Sequence, residues 1–175
     1  MWQPSNNLEE DRLKKANDLR EREVDLFPRR VERTHTTAEA LALYEQAEVQ
    51  ADDPKEIDPI PVTVAGRIRR ANVKGKVSFM HIEDEHGRVQ LFMRINNMDD
   101  ADYALVKDKL VGVDDFVQAS GTMMRTRTGE ISVEVKSFGL LAKAISPLPA
   151  VKEQHLEDGT VREYGEFTDV EARYR

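Results

Sequence analysis

The sequence predicts a mainly β protein with a helical extension: a five-stranded Greek-key barrel carrying a helix between its third and fourth strands. Three observations predict it. Apolar periodicity switches from about 3.6 to 2 near Val62. Three prolines, Pro54, Pro59 and Pro61, precede that switch and punctuate the chain. Beyond it, segments bounded by turn residues follow in the order strand, strand, strand, helix, strand, strand.

The helical extension fills residues 1–59. Ser5 is the expected N-cap of a first helix, with Glu9, Glu10 and Asp11 placing acids at its positive end. Leu8, Leu13, Ala16, Leu19 and Leu26 form a narrow apolar stripe that Pro28 terminates. Thr36 or Thr37 caps a second helix, with Glu39 in its first turn and Leu41, Leu43, Tyr44 and Ala47 as packing face.

The barrel is expected over residues 60–142. Its first strand, 62–70, puts Val62, Val64, Gly66 and Ile68 inward. The second, 76–84, puts Ser78, Met80 and Ile82 on one face and Val77, Phe79 and His81 on the other. Glu85-His86-Gly87 is a tight turn in which Gly87 suits positive φ. The third strand, 88–94, turns Val89, Leu91 and Met93 inward and Arg88, Gln90, Phe92 and Arg94 outward. Asp99 or Asp100 caps a helix reaching Leu110, with Tyr103, Val106 and Leu110 facing in. A hairpin of strands 115–125 and 130–141, turned by Thr126-Arg127-Thr128-Gly129, closes the set with Ile131, Val133 and Val135 inward. That order is the order of an OB-fold; another small barrel or an open α+β sheet is the alternative. Residues 143–175 read as a linker with a hairpin at Glu157-Asp158-Gly159.

The bulk numbers exclude several classes. No window approaches 18 uncharged apolar residues, which argues against a membrane-spanning helix, and the absence of cysteine removes disulfides and thiolate metal sites. With no secretory signal pattern, a cytoplasmic protein is expected. The net charge of −7 argues against a polyanionic partner until its distribution is examined. Residues 1–59 hold 9 basic and 15 acidic side chains, whereas residues 60–141 hold 12 and 11. Within the latter, Arg67, Arg69, Arg70, Lys74 and Lys76 fall together without an intervening acid. Local field, not net charge, steers a polyanion. The bland alternative is a solvated strand edge kept unsticky by its charges.

Alternation leaves Phe79, His81, Gln90, Phe92 and Arg94 outward on two adjacent strands, beside Arg67 and Arg69 on the first. An exposed ring flanked by amide and guanidinium groups is what a single-stranded nucleic-acid platform requires. The ring stacks a base for about 1–3 kcal/mol, and arginine engages phosphate. Glutamine offers donor and acceptor to a base edge, and Glu130, opening the fifth strand, can accept from a base imino group. Alternatively Phe79 is covered by the N-terminal helices, Gln90 is merely solvated and Glu130 pairs with Arg127; OB barrels also bind proteins.

No catalytic centre is expected. His35, His81, His86 and His155 form no metal-ligand spacing, Ser78 and Ser120 sit in no glycine elbow, and Gly75 and Gly87 are isolated turn residues. The pairs Asp99-Asp100 and Asp114-Asp115 fall where capping explains them.

The chain resembles the N-terminal region of lysyl-tRNA synthetases, a class II aminoacyl-tRNA synthetase family. The residues that carry the resemblance are Arg33-Thr34-His35, Ala65-Gly66-Arg67, Gly75-Lys76-Val77-Ser78-Phe79, His81-Ile82-Glu83-Asp84, Gly87-Arg88-Val89-Gln90-Leu91, Thr126 to Ser132, and Pro147-Leu148-Pro149. The resemblance implies an anticodon-binding barrel in which Phe79 stacks on a base and Gln90 and Glu130 read the uridine-rich lysine anticodon. Asn72 stands where members of the family often carry a basic residue, leaving Arg69 and Arg70 as neighbouring candidates. It further implies a tRNA(Lys) anticodon loop as partner, a homodimeric parent enzyme, and ATP and Mg2+ at an adenylating site downstream of Arg175. On this reading the chain is a fragment of that ligase, inactive alone and without a cofactor of its own. The aspartyl and asparaginyl enzymes share the barrel but typically lack so long a helical extension.

Overall fold

In the computed structural model, residues 3–51, 57–146, 152–155 and 161–164 are described. They form two compact units, residues 1–145 and 146–175.

The first unit opens with helix α1, Asn7–Glu21. Its N-cap is Asn6, whose side chain accepts from Glu9 N, and not Ser5. Ser5 instead donates its amide and hydroxyl to Glu9 Oε2, at 2.7 and 2.8 Å, so the acid expected merely to face the dipole closes the turn. The helix ends at Glu21, seven residues before Pro28, and two residues past its end Glu23 takes φ 60°. Ala16 and Leu19 are buried, while Leu8 is 48% exposed. Helix α2, Thr37–Gln50, begins with a full capping box between Thr36 and Glu39. Thr37, the other candidate cap, is fully buried and used elsewhere: its amide and hydroxyl both bind Asp84. Burial alone would raise the Asp84 carboxyl, but the bonds from Thr37, His86 N and Gly87 N outweigh it and hold the group below its ordinary range. This cluster clamps α2 to the turn between the second and third strands.

Five strands follow: β1 (Pro61–Lys74), β2 (Val77–Glu83), β3 (Arg88–Arg94), β4 (Phe116–Arg125) and β5 (Ile131–Ala142), with helix α3 (Asp100–Lys107) between β3 and β4. They close in the order β1-β2-β3-β5-β4, with β3 and β5 parallel and the other pairs antiparallel. This is the expected five-stranded barrel. Of the inward set the alternation named, Val62, Val64, Ile68, Met80, Ile82, Val89, Leu91, Met93, Val133 and Val135 are buried, whereas Ile131, at the start of β5, is only partly so. Helices α1 and α2 add Ala16, Leu19, Ala40 and Tyr44 to the same apolar cluster. Tyr103 of α3 is buried and donates its hydroxyl to Gly75 O at 3.0 Å, while Asp102 accepts from Phe138 N of β5.

Two details depart from simple alternation. β1 runs four residues past its expected end and carries a bulge between Ile68 and Arg70. Gly87 does not adopt positive φ; the β2–β3 turn is held instead by Asp84 Oδ1, which accepts from His86 N and Gly87 N. The glycines at positive φ among the described residues are Gly75 and Gly129, in the β1–β2 and β4–β5 turns. At Gly66 the requirement is space, since a Cβ there would lie 2.7 Å from the Glu83 carbonyl oxygen.

Asp114-Asp115, expected as caps, do other work. Asp114 pairs with Arg12 of α1 at 3.0 Å. Asp115 is buried against Lys143, with Nζ 2.7 Å from Oδ2. Burial lowers the Lys143 pKa from its ordinary 10.5, against the opposing pull of Asp115.

The second unit is an antiparallel pair, β6 (Lys152–His155) and β7 (Val161–Tyr164), in register from Lys152 opposite Tyr164 to His155 opposite Val161. The expected turn residues Glu157-Asp158-Gly159 lie outside the described residues.

Candidate nucleic-acid interface

The outward face of β1, β2, β3 and β5 is assembled by register. Arg70 lies opposite His81, His81 opposite Gln90, and Gln90 opposite Ser132. In the next row Asn72 lies opposite Phe79, Phe79 opposite Phe92, and Phe92 opposite Glu134. The β1 bulge makes this possible. Because Arg69 is the extra residue, the inward parity passes from Ile68 to Ala71 and Val73, which pack on the core, and Arg70 and Asn72 swing outward.

An open groove of about 460 Å³ runs over these rows, lined by Arg70, Asn72, Phe79, His81, Gln90, Thr128 and Glu130. Phe79 stacks on Phe92 at 5.1 Å between centroids and itself lines the groove. The β4–β5 turn delivers Glu130: Thr126 N donates to Glu130 O and Gly129 N to Thr126 O, both at 2.9 Å. Glu130 Oε1 lies 2.9 Å from His81 Nε2, while Oε2 accepts from Gln90 Nε2 at 2.5 Å. Gln90 Oε1 in turn accepts from Ser132 Oγ at 2.8 Å. Arg125 braces the turn, binding the Gly129 carbonyl and, at 2.7 and 2.5 Å, the Glu48 carboxylate of α2. That hydrogen bond holds Glu48 below the ordinary carboxylate range.

Residues 62–141 match the tRNA anticodon family of OB-fold nucleic acid binding domains. The chain is 36% identical over 172 residues to the lysine–tRNA ligase of Dehalococcoides mccartyi, covering 98% of this chain and 31% of that enzyme. It is 38% identical over 164 residues to the lysine–tRNA ligases of Bacillus cereus and Bacillus anthracis, covering 94% of this chain and 30% of each enzyme. The chain carries an anticodon-binding OB-fold domain homologous to the N-terminal region of lysine–tRNA ligases. It spans about three-tenths of the length of those relatives.

The anticodon-binding domain does not bring all the expected residues together. Phe79, His81, Gln90, Glu130, Arg70 and Asn72 share the groove. Lys74 and Lys76 flank Gly75 in the β1–β2 turn, beyond the Asn72–Phe79 pair. Phe92 lies behind Phe79, and Arg94 is tied to Glu134 and lies over the Phe92 ring. Arg67 and Arg69 line a different groove of about 530 Å³, with Arg33, Glu83 and Phe116. There the charges are already committed. Arg69 pairs with Glu83 at 3.6 Å, Arg67 lies 4.8 Å over the Phe116 ring, and Arg33 faces Asp84 and Glu85. The hydrogen bond from Arg88, aided by the nearby arginines, holds Glu83 below its ordinary range. By contrast Arg70, Lys74 and Lys76 are in no ion pair among the described residues.

Glu130 pairs with His81 and Gln90 rather than with Arg127. Sequence reasoning missed Ser132 and Thr128. Ser132 had the outward parity of β5, but only the parallel β3–β5 pairing reveals that it abuts Gln90. Among the described residues no group of three or more His, Cys, Asp or Glu converges to hold a metal ion, and no helix is long and apolar enough to cross a membrane.

Proposed function

We propose that this domain reads the uridine-rich anticodon of lysine tRNA for a lysine–tRNA ligase, with splayed anticodon bases held in the Phe79 groove. The observation that carries the reading is the groove itself: an aromatic ring in its lining, an amide–carboxylate pair at its wall and an uncommitted arginine at its rim. In it a base stacks on Phe79, its Watson–Crick edge meets Gln90 and Glu130, and Arg70 with Lys74 and Lys76 takes the backbone phosphates. His81 orients Glu130.

The parent enzyme, on the same proposal, is a cytoplasmic homodimer that charges tRNA(Lys) with lysine using ATP and Mg2+. Among the described residues no cluster of His, Cys, Asp or Glu converges to hold the ion. A protein-interaction barrel, the rival reading, is favoured by a Phe79 covered by the N-terminal helices; the lining of the groove that Phe79 enters includes no residue of α1 or α2.

Titrating a labelled UUU anticodon stem-loop by fluorescence anisotropy tests the proposal. Phe79→Ala is expected to weaken binding by roughly 5- to 100-fold, from the ~1–3 kcal/mol of one stacked base. Gln90→Ala is expected to weaken it less. Unchanged affinity in both variants, or wild-type binding that does not fall with salt, refutes the assignment.

A further inference from the structure

We infer that Ser132 is a positioning residue for base identity: its hydroxyl fixes which end of the Gln90 amide faces the groove. This rests on the anticodon-reading proposal above and deepens it.

The argument starts from donor and acceptor inventories. An ionised Glu130 only accepts, so the Gln90 atom beside its Oε2 must be the Nε2 donor. The carbonyl end is then turned to Ser132, which is 0% exposed and lies 2.8 Å away. There the hydroxyl supplies the donor that Oε1 needs. Ser132 Oγ also lies 3.3 Å from Glu130 O, but its single proton serves the shorter contact. Gln90 is itself only 7% exposed, so a flipped amide would leave a buried acceptor facing a carboxylate. The chain Ser132 to Gln90 to Glu130 therefore has one direction.

That direction has a consequence for the base. A ring held on Phe79 meets a donor from Gln90 beside an acceptor from Glu130. Uracil placed with O4 toward Gln90 and N3–H toward Glu130 satisfies both. Cytosine in the same ring position offers an amino group to the Gln90 donor and a lone pair to the carboxylate, and fails at both. Once the base engages Glu130, Ser132 is the remaining restraint on the amide. Without its hydroxyl the Gln90 carbonyl can turn to the groove and accept from a cytosine amino group.

The test compares the 175-residue wild-type chain with Ser132→Ala on stem-loops bearing UUU and each single U-to-C replacement. The quantity read is the ratio of the two dissociation constants. The wild type is expected to prefer uridine at one position, and Ser132→Ala to lower that ratio about three- to tenfold, the scale of one hydrogen bond. In a Gln90→Ala background the serine change should leave the ratio unmoved, which a merely structural role would not predict. A ratio unchanged by Ser132→Ala overturns the inference and leaves the anticodon reading standing. A wild type with no preference at any position overturns both. The side-chain amide spectrum of the wild type provides a check independent of variant folding. A single Gln90 NH2 pair is expected, and two exchanging sets would refute the lock.

Discussion

Removing the ammonium of Lys143 should cost this fold more than any change in the groove. The Lys143 and Asp115 side chains are 3% and 2% exposed, and Nζ sits 2.7 Å from both Asp115 Oδ2 and the Leu110 carbonyl. Lys143→Met leaves the aliphatic bulk but strips both contacts. Asp115 keeps two backbone donors, Gly112 N at 2.8 Å and Ala144 N at 2.9 Å, yet its charge loses its only cationic partner among the described residues. Breaking a buried pair from one side typically costs about 3–5 kcal/mol, because an uncompensated charge remains. The two surviving bonds argue for the lower end, near 3 kcal/mol. For a unit of this size that corresponds to a fall of roughly 10 °C in Tm. Chemical denaturation followed by circular dichroism measures it. The double variant Lys143→Met/Asp115→Asn should recover much of the loss, since no charge is then stranded. A single variant within about 1 kcal/mol of wild type, or a double variant worse than the single, refutes the reasoning.

The same pair makes stability depend on alkaline pH. The folded Lys143 pKa lies below its unfolded 10.5, so between the two values the unfolded chain binds more protons. The wild-type advantage over Lys143→Met should therefore grow as pH rises through that window toward 10.5; a shrinking advantage on pH-resolved denaturation contradicts it. For RNA, Arg70→Ala should reduce the slope of log affinity against log salt by roughly 0.7–1, the signature of one lost phosphate contact. Arg69→Ala, which removes a guanidinium already paired with Glu83, should leave the slope nearly intact; equal effects would mean the wrong arginine has been assigned.

Much of this was legible because period-2 burial is a local property. The inward residues of β2 and β3, those of β1 as far as Ile68, Val133 and Val135 of β5, and the helix between β3 and β4 follow from alternation and element order, although Gln90, expected outward, is 7% exposed. What was not legible depends on partners distant in sequence. Ser5 and Asn6 compete for the same cap, and the outcome is set by Glu9 taking both Ser5 donors. Asp115 reads as a cap until a lysine 28 residues later is folded against it. Glu130 and Gln90 were each named, but that they touch depends on a parallel pairing no hairpin signal announces.

The bulge at Arg69 shows how a local irregularity decides a global property. Strict alternation sends Arg67 and Arg69 outward together and Arg70 toward the core side. One extra residue in β1 reverses the phase beyond it. Arg67 and Arg69 are thereby left beside Glu83 and Phe116, while Arg70 and Asn72 are carried to the Phe79 rows. The cluster of five cations that looked like a single basic patch is thus split in two. In one part Arg69 is paired with Glu83 and Arg67 lies over the Phe116 ring; in the other, Arg70, Lys74 and Lys76 are in no ion pair among the described residues. Counting charges along the sequence could not separate them, because the separation is made by the parity of one strand. For a domain whose flanks are acidic, the affinity for RNA then depends less on how many cations it has than on which of them the bulge leaves unpaired.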